Sequence, residues 1–401
     1  MKKIISLLLA AMMILSLGAC GNRGGNEQDG GQKTETDKGS HVVTDHSGNE
    51  VKVPNEIDRI VVCDILPLSS VLTVFFDSAE IIVGMSDTAM AAAKNGLLGE
   101  LYPEILNAKT DFIDGSTVNT EELMKLEPDV VIYNAVNGEL GDQLRNAGFA
   151  ALAVSVNKWE YDCIETLNQW VALLSELSPE NGKKDVVEKK SREMYDFVQE
   201  RIRTIPNEER EQVFFLYKYS DTAIETSRKK FFGQWWADAA GAVNVGEEME
   251  TDNSVVVNME QIYTWNPSVI FITNFTSAVP EDLYNNSVGN YNWSTIDAVK
   301  NQRVYKLPLG MYRSYTPGAD TPVTLLWMAQ TLYPEVFADV DIIQTAMDYY
   351  KEVFGVVLTE AQAALFLHRS VKPEQDFRPF SIVGNRKDFP MVEKNTIVLE
   401  L

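Results

Sequence analysis

The chain has 401 residues, 45% of them hydrophobic and 10% aromatic, which is enough to build large buried cores and too apolar for a disordered chain. Its formal charge is -23, with 58 acidic against 35 basic side chains. That balance argues against nucleic acid or an anionic membrane surface as a partner, because either needs clustered basic residues.

Lys2 and Lys3 precede an apolar stretch from Ile4 to Leu17, too short to span a bilayer as a stable helix and built like a secretory signal. It closes on Leu17-Gly18-Ala19-Cys20, a tetrapeptide that resembles the lipobox of bacterial lipoproteins. Residues 1–20 are therefore expected to be a lipoprotein signal, with Cys20 the lipidated first residue of the mature chain. An ordinary signal peptide with a chance cysteine is the plainer alternative. Several acyl chains on Cys20 would anchor the protein stably, where a single chain is marginal. Residues 21–40 carry no large apolar side chain and read as a flexible tether.

Residues 41–177 read as an N-terminal α/β lobe. His41 to Pro54 alternates apolar and polar residues around Ser47-Gly48-Asn49, the pattern of a β-hairpin. The runs RIVVCDI, IIVGMSD, DVVIY and ALAVSV are short, β-branched and unalternating, as buried parallel strands are. From 178 to 206 the chain is highly charged, with Val186, Val187, Met194, Phe197, Val198 and Ile202 forming one apolar stripe. Ser178 and Pro179 suit an N-cap and first turn, and Pro206 a stop. The segment reads as one long exposed helix, a stiff connection between lobes. Residues 207–365 repeat the α/β pattern, with QVFFLYKY, SVIFITN and RVYKLPL as strands and FFGQWWADAAGAV and PVTLLWMAQTLYPEVF as helices. Residues 366–401 have no clear period and form an extension of unclear role.

One short grammar occurs twice. NTEELMKLEPDVVIY begins at Asn119 and NMEQIYTWNPSVIFI at Asn258. Each asparagine suits an N-cap, with Glu122 and Gln261 placed to complete a capping box. Pro128 and Pro267 then break the helix before an apolar strand. The repeat suggests two similar lobes, although two such units in one larger sheet would read much the same.

Cys63 and Cys163 lie in strand-like and helix-like runs and read as buried free thiols, with a disulfide between them as the alternative. The three histidines, His41, His46 and His368, lie near the ends of the mature chain. None forms a metal-ligand cluster inside a lobe, so a site for bare zinc is not expected.

Together, VVTDHSGNEVKVPNEIDRIVV, NTEELMKLEPDVVIY, AGAVNVGEE and LLWMAQTLYPEVF resemble the solute-binding lipoproteins of ABC importers for iron-siderophore complexes, haem and cobalamin. The likeness runs from about residue 41 to 355. It implies an α/β protein of two similar lobes with mostly parallel central sheets, joined by one long helix, with the ligand cleft between them. It further implies a monomer without a prosthetic group that delivers a small-molecule metal complex to a permease dimer and its ATPase. The docking glutamates of such proteins, one per lobe, align here with Glu121 and Glu260.

Loops after strands are the cleft candidates. They offer Met85, Tyr133 and Trp159 in the first lobe and Tyr217, Tyr219, Phe232, Asn274, Arg313 and Tyr315 in the second. Aromatic rings give flat contact area for a chelate or tetrapyrrole, and Tyr or Met could be an axial ligand. Each would serve equally well as lobe core. Arg313 could pair bidentately with a carboxylate or catecholate, and an ordinary solvated loop arginine is the alternative. Arg228, Lys229 and Lys230 stand among aromatics and could form a basic, apolar wall. The expected cargo is an iron chelate or haem, with cobalamin or an oxyanion as alternatives. An enzyme of another class would use Ser227 and Lys230, which match S-x-x-K, but no K-T-G follows and so short a pattern arises by chance.

Overall fold

The computed structural model describes residues 39–115, 117–249 and 253–367. The expected signal with Cys20, most of the tether, His368 and nearly all of the C-terminal extension lie outside the described residues. Two α/β lobes are observed, each with its own sheet.

The chain enters through the hairpin β1 (Ser40–Thr44) and β2 (Glu50–Pro54), antiparallel as expected. Its turn is organised by Asp45, whose Oδ1 accepts from the Ser47 and Asn49 amides, while Oδ2 accepts from the Ala153 amide at 3.0 Å. That last bond ties the hairpin to the first sheet. β3 (Ile60–Val62), helix α1 (Leu68–Phe76), β4 (Ile82–Met85), helix α2 (Thr120–Met124), β5 (Val130–Asn134) and β6 (Ala151–Val154) follow. The sheet is fully parallel in the order β4-β3-β5-β6, and nearly every strand residue is buried. The chain leaves β3 toward β4 on one side and returns as β5 on the other. This makes the carboxyl ends of β3 and β5 a topological switch point, where open α/β sheets bind ligands.

Helix α3 (Cys163–Leu177) closes the lobe, and α4 (Lys183–Ile202) connects to the next. The long helix starts at Lys183, not Ser178: Ser178 is the C-terminal cap of α3, and Gly182, at φ +71°, turns the chain into α4. Ser178 cannot start a helix because its backbone still donates to Leu174 of the one before. α4 is about 30 Å long. It is less exposed than expected, since Val187, Ser191, Val198 and Ile202 are buried against α3 and the second lobe's helices. Cys63 and Cys163 are buried free thiols.

In the second lobe β7 (Gln212–Tyr219), β8 (Ile224–Ser227), α5 (Phe232–Ala240), β9 (Val243–Asn244), β10 (Ser254–Val257), α6 (Met259–Trp265), β11 (Val269–Ile272) and β12 (Val304–Lys306) build a mixed sheet. Its order is β10-β8-β7-β11-β12, with β9 beside β7. β7, β11 and β12 run parallel, whereas β8 and β10 are antiparallel additions. The trio β7-β11-β12 thus matches β3-β5-β6 of the first lobe. Helices α7 (Thr321–Leu332), α8 (Ile342–Phe354) and α9 (Glu360–Phe366) complete the chain. Gln362 on α9 reaches back to Glu100 of the first lobe, 2.6 Å away.

The repeated grammar holds in part. Asn119 accepts from the Glu121 and Glu122 amides, and Asn258 from the Gln261 amide. The reciprocal half of a capping box does not form in the first copy, because the Asn119 amide already donates to Phe112 and the Glu122 carboxylate pairs with Lys125. The residues before the two prolines, Glu127 (φ +44°) and Asn266 (φ +40°), are both left-handed. Each turns the chain sharply from helix to strand.

Candidate functional site

A β-bulge decides where the site lies. Along β7, Val213, Phe215 and Tyr217 face one core, while Phe214 and Leu216 face another. Opposite Glu225 and Thr226 of β8 stand Lys218 and Leu216, so Tyr217 is the extra residue. A bulge of this kind re-aims side chains. Tyr217 therefore keeps the face of Val213 and Phe215, whereas Tyr219, two residues on, turns to the other face. There the Tyr219 hydroxyl accepts from Trp293 and donates to the Val288 carbonyl oxygen.

Around Tyr217 the rings of Phe231, Phe275 and Tyr315 stand 5.2, 5.2 and 5.6 Å away, centre to centre. Phe232 adjoins Tyr315 at 6.0 Å. Tyr161 of the first lobe closes against Phe231 and Phe232 at 5.6 and 5.0 Å, so aromatic contact crosses between lobes. Glu160 and Tyr161 are both left-handed, at φ +52° and +63°, a backbone state that non-glycine residues adopt at a cost.

Arg313 lies at this wall, only 8% exposed. Its guanidinium carbon is 4.8 Å from the Phe275 ring centre and 5.8 Å from that of Tyr312. Its side chain makes no hydrogen bond or ion pair among the described residues. A buried charge without a counter-ion is costly, and cation–π contact offsets only part of that. The Tyr312 hydroxyl is also buried without a partner. Burial pushes the hydroxyls of Tyr217 and Tyr312 up to about 12, and Arg313 pulls both back. Both stay protonated donors at neutral pH.

The Phe275 side of the pair is held by Lys306. Its ammonium donates to the carbonyl oxygens of Thr273, Thr276 and Ala278 at 2.9, 2.7 and 2.8 Å, using all three donors on one loop. Burial pushes this amine down to about 7. Asn274, in the same loop, donates to the Leu307 carbonyl oxygen, while its own side-chain oxygen is buried without a partner.

Beyond Phe231 the contact opens into a groove of about 1220 Å³, lined from the first lobe by Trp159, Tyr161 and Asp162 and from the second by Lys230, Trp235 and Glu247, among others. Trp159 stands edge-on to His46, 4.9 Å between centres. His46 is buried enough to push its imidazole down to about 4, and its Nδ1 accepts from the Ser155 amide. No group of three or more His, Cys, Asp or Glu side chains among the described residues could hold a metal ion.

Of the expected cleft residues, the structure brings Tyr217, Phe232, Arg313 and Tyr315 together, with Asn274 beside them and Trp159 in the groove. Met85, Tyr133 and Tyr219 are core residues instead. Met85 is fully buried under the first sheet, and Tyr133 packs on its other side with its hydroxyl accepting from Arg145 at 2.9 Å. Ser227 is fully buried and its hydroxyl donates to the Arg228 carbonyl oxygen at 3.4 Å, whereas Lys230 is exposed. Glu121 and Glu260 are exposed on matching helices. Tyr161 and Lys306 are not singled out by the sequence, whereas Tyr312 falls within the candidate loop Gly310–Tyr315. Only Lys306 left a sign there, as a lysine inside an apolar strand run.

Two α/β lobes joined by one long helix are the architecture of a solute-binding protein. The chain belongs to the periplasmic binding protein family, whose model matches residues 76–309. It is 24% identical to the molybdate-binding protein MolA of Haemophilus influenzae over 78% of this chain and 90% of that one. It is 24% identical to the uncharacterized ABC transporter substrate-binding lipoprotein YvrC of Bacillus subtilis over 83% and 97%. The crystal structure of a periplasmic solute binding protein from Veillonella parvula superposes with a TM-score of 0.74 at 27% identity, over 82% of this chain and 97% of that one. MolA bound to molybdate superposes with a TM-score of 0.67 at 22% identity, over 80% and 99%.

Proposed function

We propose that this protein captures an anionic iron chelate, of siderophore type or haem, outside the cytoplasmic membrane and delivers it to an ABC permease and its ATPase. The observation that carries the ligand class is Arg313: a buried guanidinium with no counter-ion, flanked by rings and by the unpartnered Tyr312 hydroxyl. An anionic group supplies the missing partner, and flat ligand surface suits the wall of Tyr217, Phe231 and Phe275. Lipidation at Cys20 would hold the protein at the membrane surface.

Permease docking is assigned to Glu121 and Glu260. Three residues beyond each carboxylate stands an exposed apolar side chain, Met124 (49% exposed) and Tyr263 (40%), on the same helix face. Each lobe thus offers an acid beside an apolar contact, which fits a partner of two equivalent halves.

An oxyanion such as molybdate is the second reading. The same two donors, Arg313 and the Tyr312 hydroxyl, would serve it, and MolA is a relative. Absorbance and calorimetric titration of the purified protein with haemin, a ferric catecholate, cobalamin and molybdate separate these. Binding of haemin or the ferric catecholate upholds the proposal. Binding of molybdate or cobalamin alone replaces it.

A further inference from the structure

Arg313 is carried by the loop Gly310–Tyr315, which is almost entirely buried. What holds this loop is a carboxylate behind it. Asp320, 2% exposed, accepts the Met311 amide at 2.9 Å and the Tyr312 amide at 3.5 Å on Oδ2. Its Oδ1 accepts from the Tyr350 hydroxyl on α8. Gly310, at φ +56°, lies so close that a Cβ there would stand 2.5 Å from Asp320 Oδ2. No lysine or arginine among the described residues forms an ion pair with this carboxylate. Burial pushes it up to about 6. A carboxyl group so placed costs stability at neutral pH, and what it supplies is a fixed acceptor for two consecutive amides next to Arg313.

The loop is also gripped at other points. The Leu97 amide of the first lobe donates to the Gly310 carbonyl oxygen at 2.8 Å, and Trp236 donates to that of Tyr315 at 2.9 Å. Both grips fall on the loop's ends. Between them the Ser314 amide donates to the Pro308 carbonyl oxygen, and the Arg313 carbonyl oxygen accepts from the Thr316 amide and hydroxyl, whereas Asp320 takes the Met311 and Tyr312 amides and connects them to a helix from the C-terminal part of the chain.

We propose that Asp320, steadied by Tyr350, is the positioning residue that fixes the Gly310–Tyr315 loop and so sets where the Arg313 guanidinium stands in the cleft. Asp320 does not touch the ligand; it acts through the Met311 and Tyr312 amides. Its effect on affinity rests on the assignment of Arg313 as the ligand's anchor, but its effect on the loop does not.

The test is hydrogen exchange of the full chain, followed at Met311 and Tyr312, beside titration with a ferric catecholate. Asp320→Ala is expected to speed exchange at these amides by about tenfold or more with the β7 and β11 amides unchanged. Asp320→Asn keeps an acceptor oxygen in the same place and is expected to restore protection to within about threefold. Tyr350→Phe, which removes one bond and no acceptor from the loop, should give a smaller rise confined to the same segment. If Asp320→Ala unfolds the protein, Tyr350→Phe decides. Unchanged exchange at Met311 and Tyr312 in the folded variant overturns the proposal. Local loosening with no ferric catecholate binding by any variant or the parent leaves Asp320 as the loop's anchor and overturns only the ligand assignment.

Discussion

Arg313 and Phe275 come from different loops of the second lobe, and the guanidinium carbon of one lies 4.8 Å from the ring centre of the other. The ring shields the charge without neutralising it. Under the proposed function, a ligand anion would gain a bidentate partner that has already lost its water. Arg313→Gln should weaken ferric catecholate binding by about 1.5 to 3 kcal/mol, roughly ten- to a hundredfold. Arg313→Lys should fall between, since an ammonium lacks the planar fork. The unliganded variant should melt no lower than the parent, because a buried unpaired charge has been removed. Titration and a thermal melt in parallel check both halves, and a large loss of stability would show the arginine to be structural.

The pH dependence of folding contains two opposing contributions. His46 is pushed from 6.5 down to about 4 by burial, so between pH 6.5 and 4 the unfolded chain takes up a proton that the folded one refuses. Its stability contribution is present at neutral pH and is lost on acidification. Asp320 is pushed from 3.8 up to about 6 by burial, so its contribution is full below about pH 4 and is lost as pH rises through 6. Each amounts to about 2 to 3 kcal/mol, and they offset one another across the shared window. Relative to the parent, His46→Gln should gain stability as pH falls from 6.5 to 4, and Asp320→Asn should lose it. Urea unfolding at four pH values in that range reads the two differences, and slopes of the same sign would contradict the assignment.

Much of the two-lobe pattern was legible because its signals are local. Strand runs from Ile60, Val130, Val213 and Val269 are short and β-branched, and the asparagine caps and prolines mark the helix-to-strand steps. The site was legible only in part, because lying just after a strand does not say which way a side chain faces. Tyr217 and Tyr219 have the same parity, and a bulge that leaves no mark in composition sends them to opposite sides. Tyr161 reaches Phe231 from the other lobe, a contact that no local pattern encodes. Met85 and Tyr133 follow the same positional rule and still end in the core.

The two lobes share one further device. After the repeated proline, Asp129 accepts the Asp58 and Arg59 amides at 2.8 and 2.9 Å, and Ser268 accepts the Gln212 amide at 3.0 Å. Each fixes the start of the strand beside its own, β3 or β7. Asp129→Ala should cost about 2 kcal/mol, since it strips two amides of a charged acceptor, and Ser268→Ala about 1. The sites belong to separate lobes, so the double variant should lose the sum. Chemical denaturation measures all three, and a clear shortfall from additivity would mean that the strand starts are coupled.

The docking assignment makes the sharpest separation between binding and transport. Glu121 and Glu260 lie in the first turns of α2 and α6, where a carboxylate also favours the helix dipole by about 0.3 to 1 kcal/mol. That local role alone would make Glu121→Ala with Glu260→Ala a mild stability variant and nothing more. The docking role adds that uptake of radiolabelled ferric catecholate by reconstituted permease and ATPase collapses while the titrated affinity stays that of the parent. Met124→Ser with Tyr263→Ser should lower uptake less steeply, since the carboxylates remain to engage a basic partner surface. Uptake unchanged in the double glutamate variant would reduce these residues to helix caps, and lost ligand affinity would place them at the cleft. Single variants carry the symmetry argument: each should retain part of the uptake, because one matched contact stays in place on the other lobe.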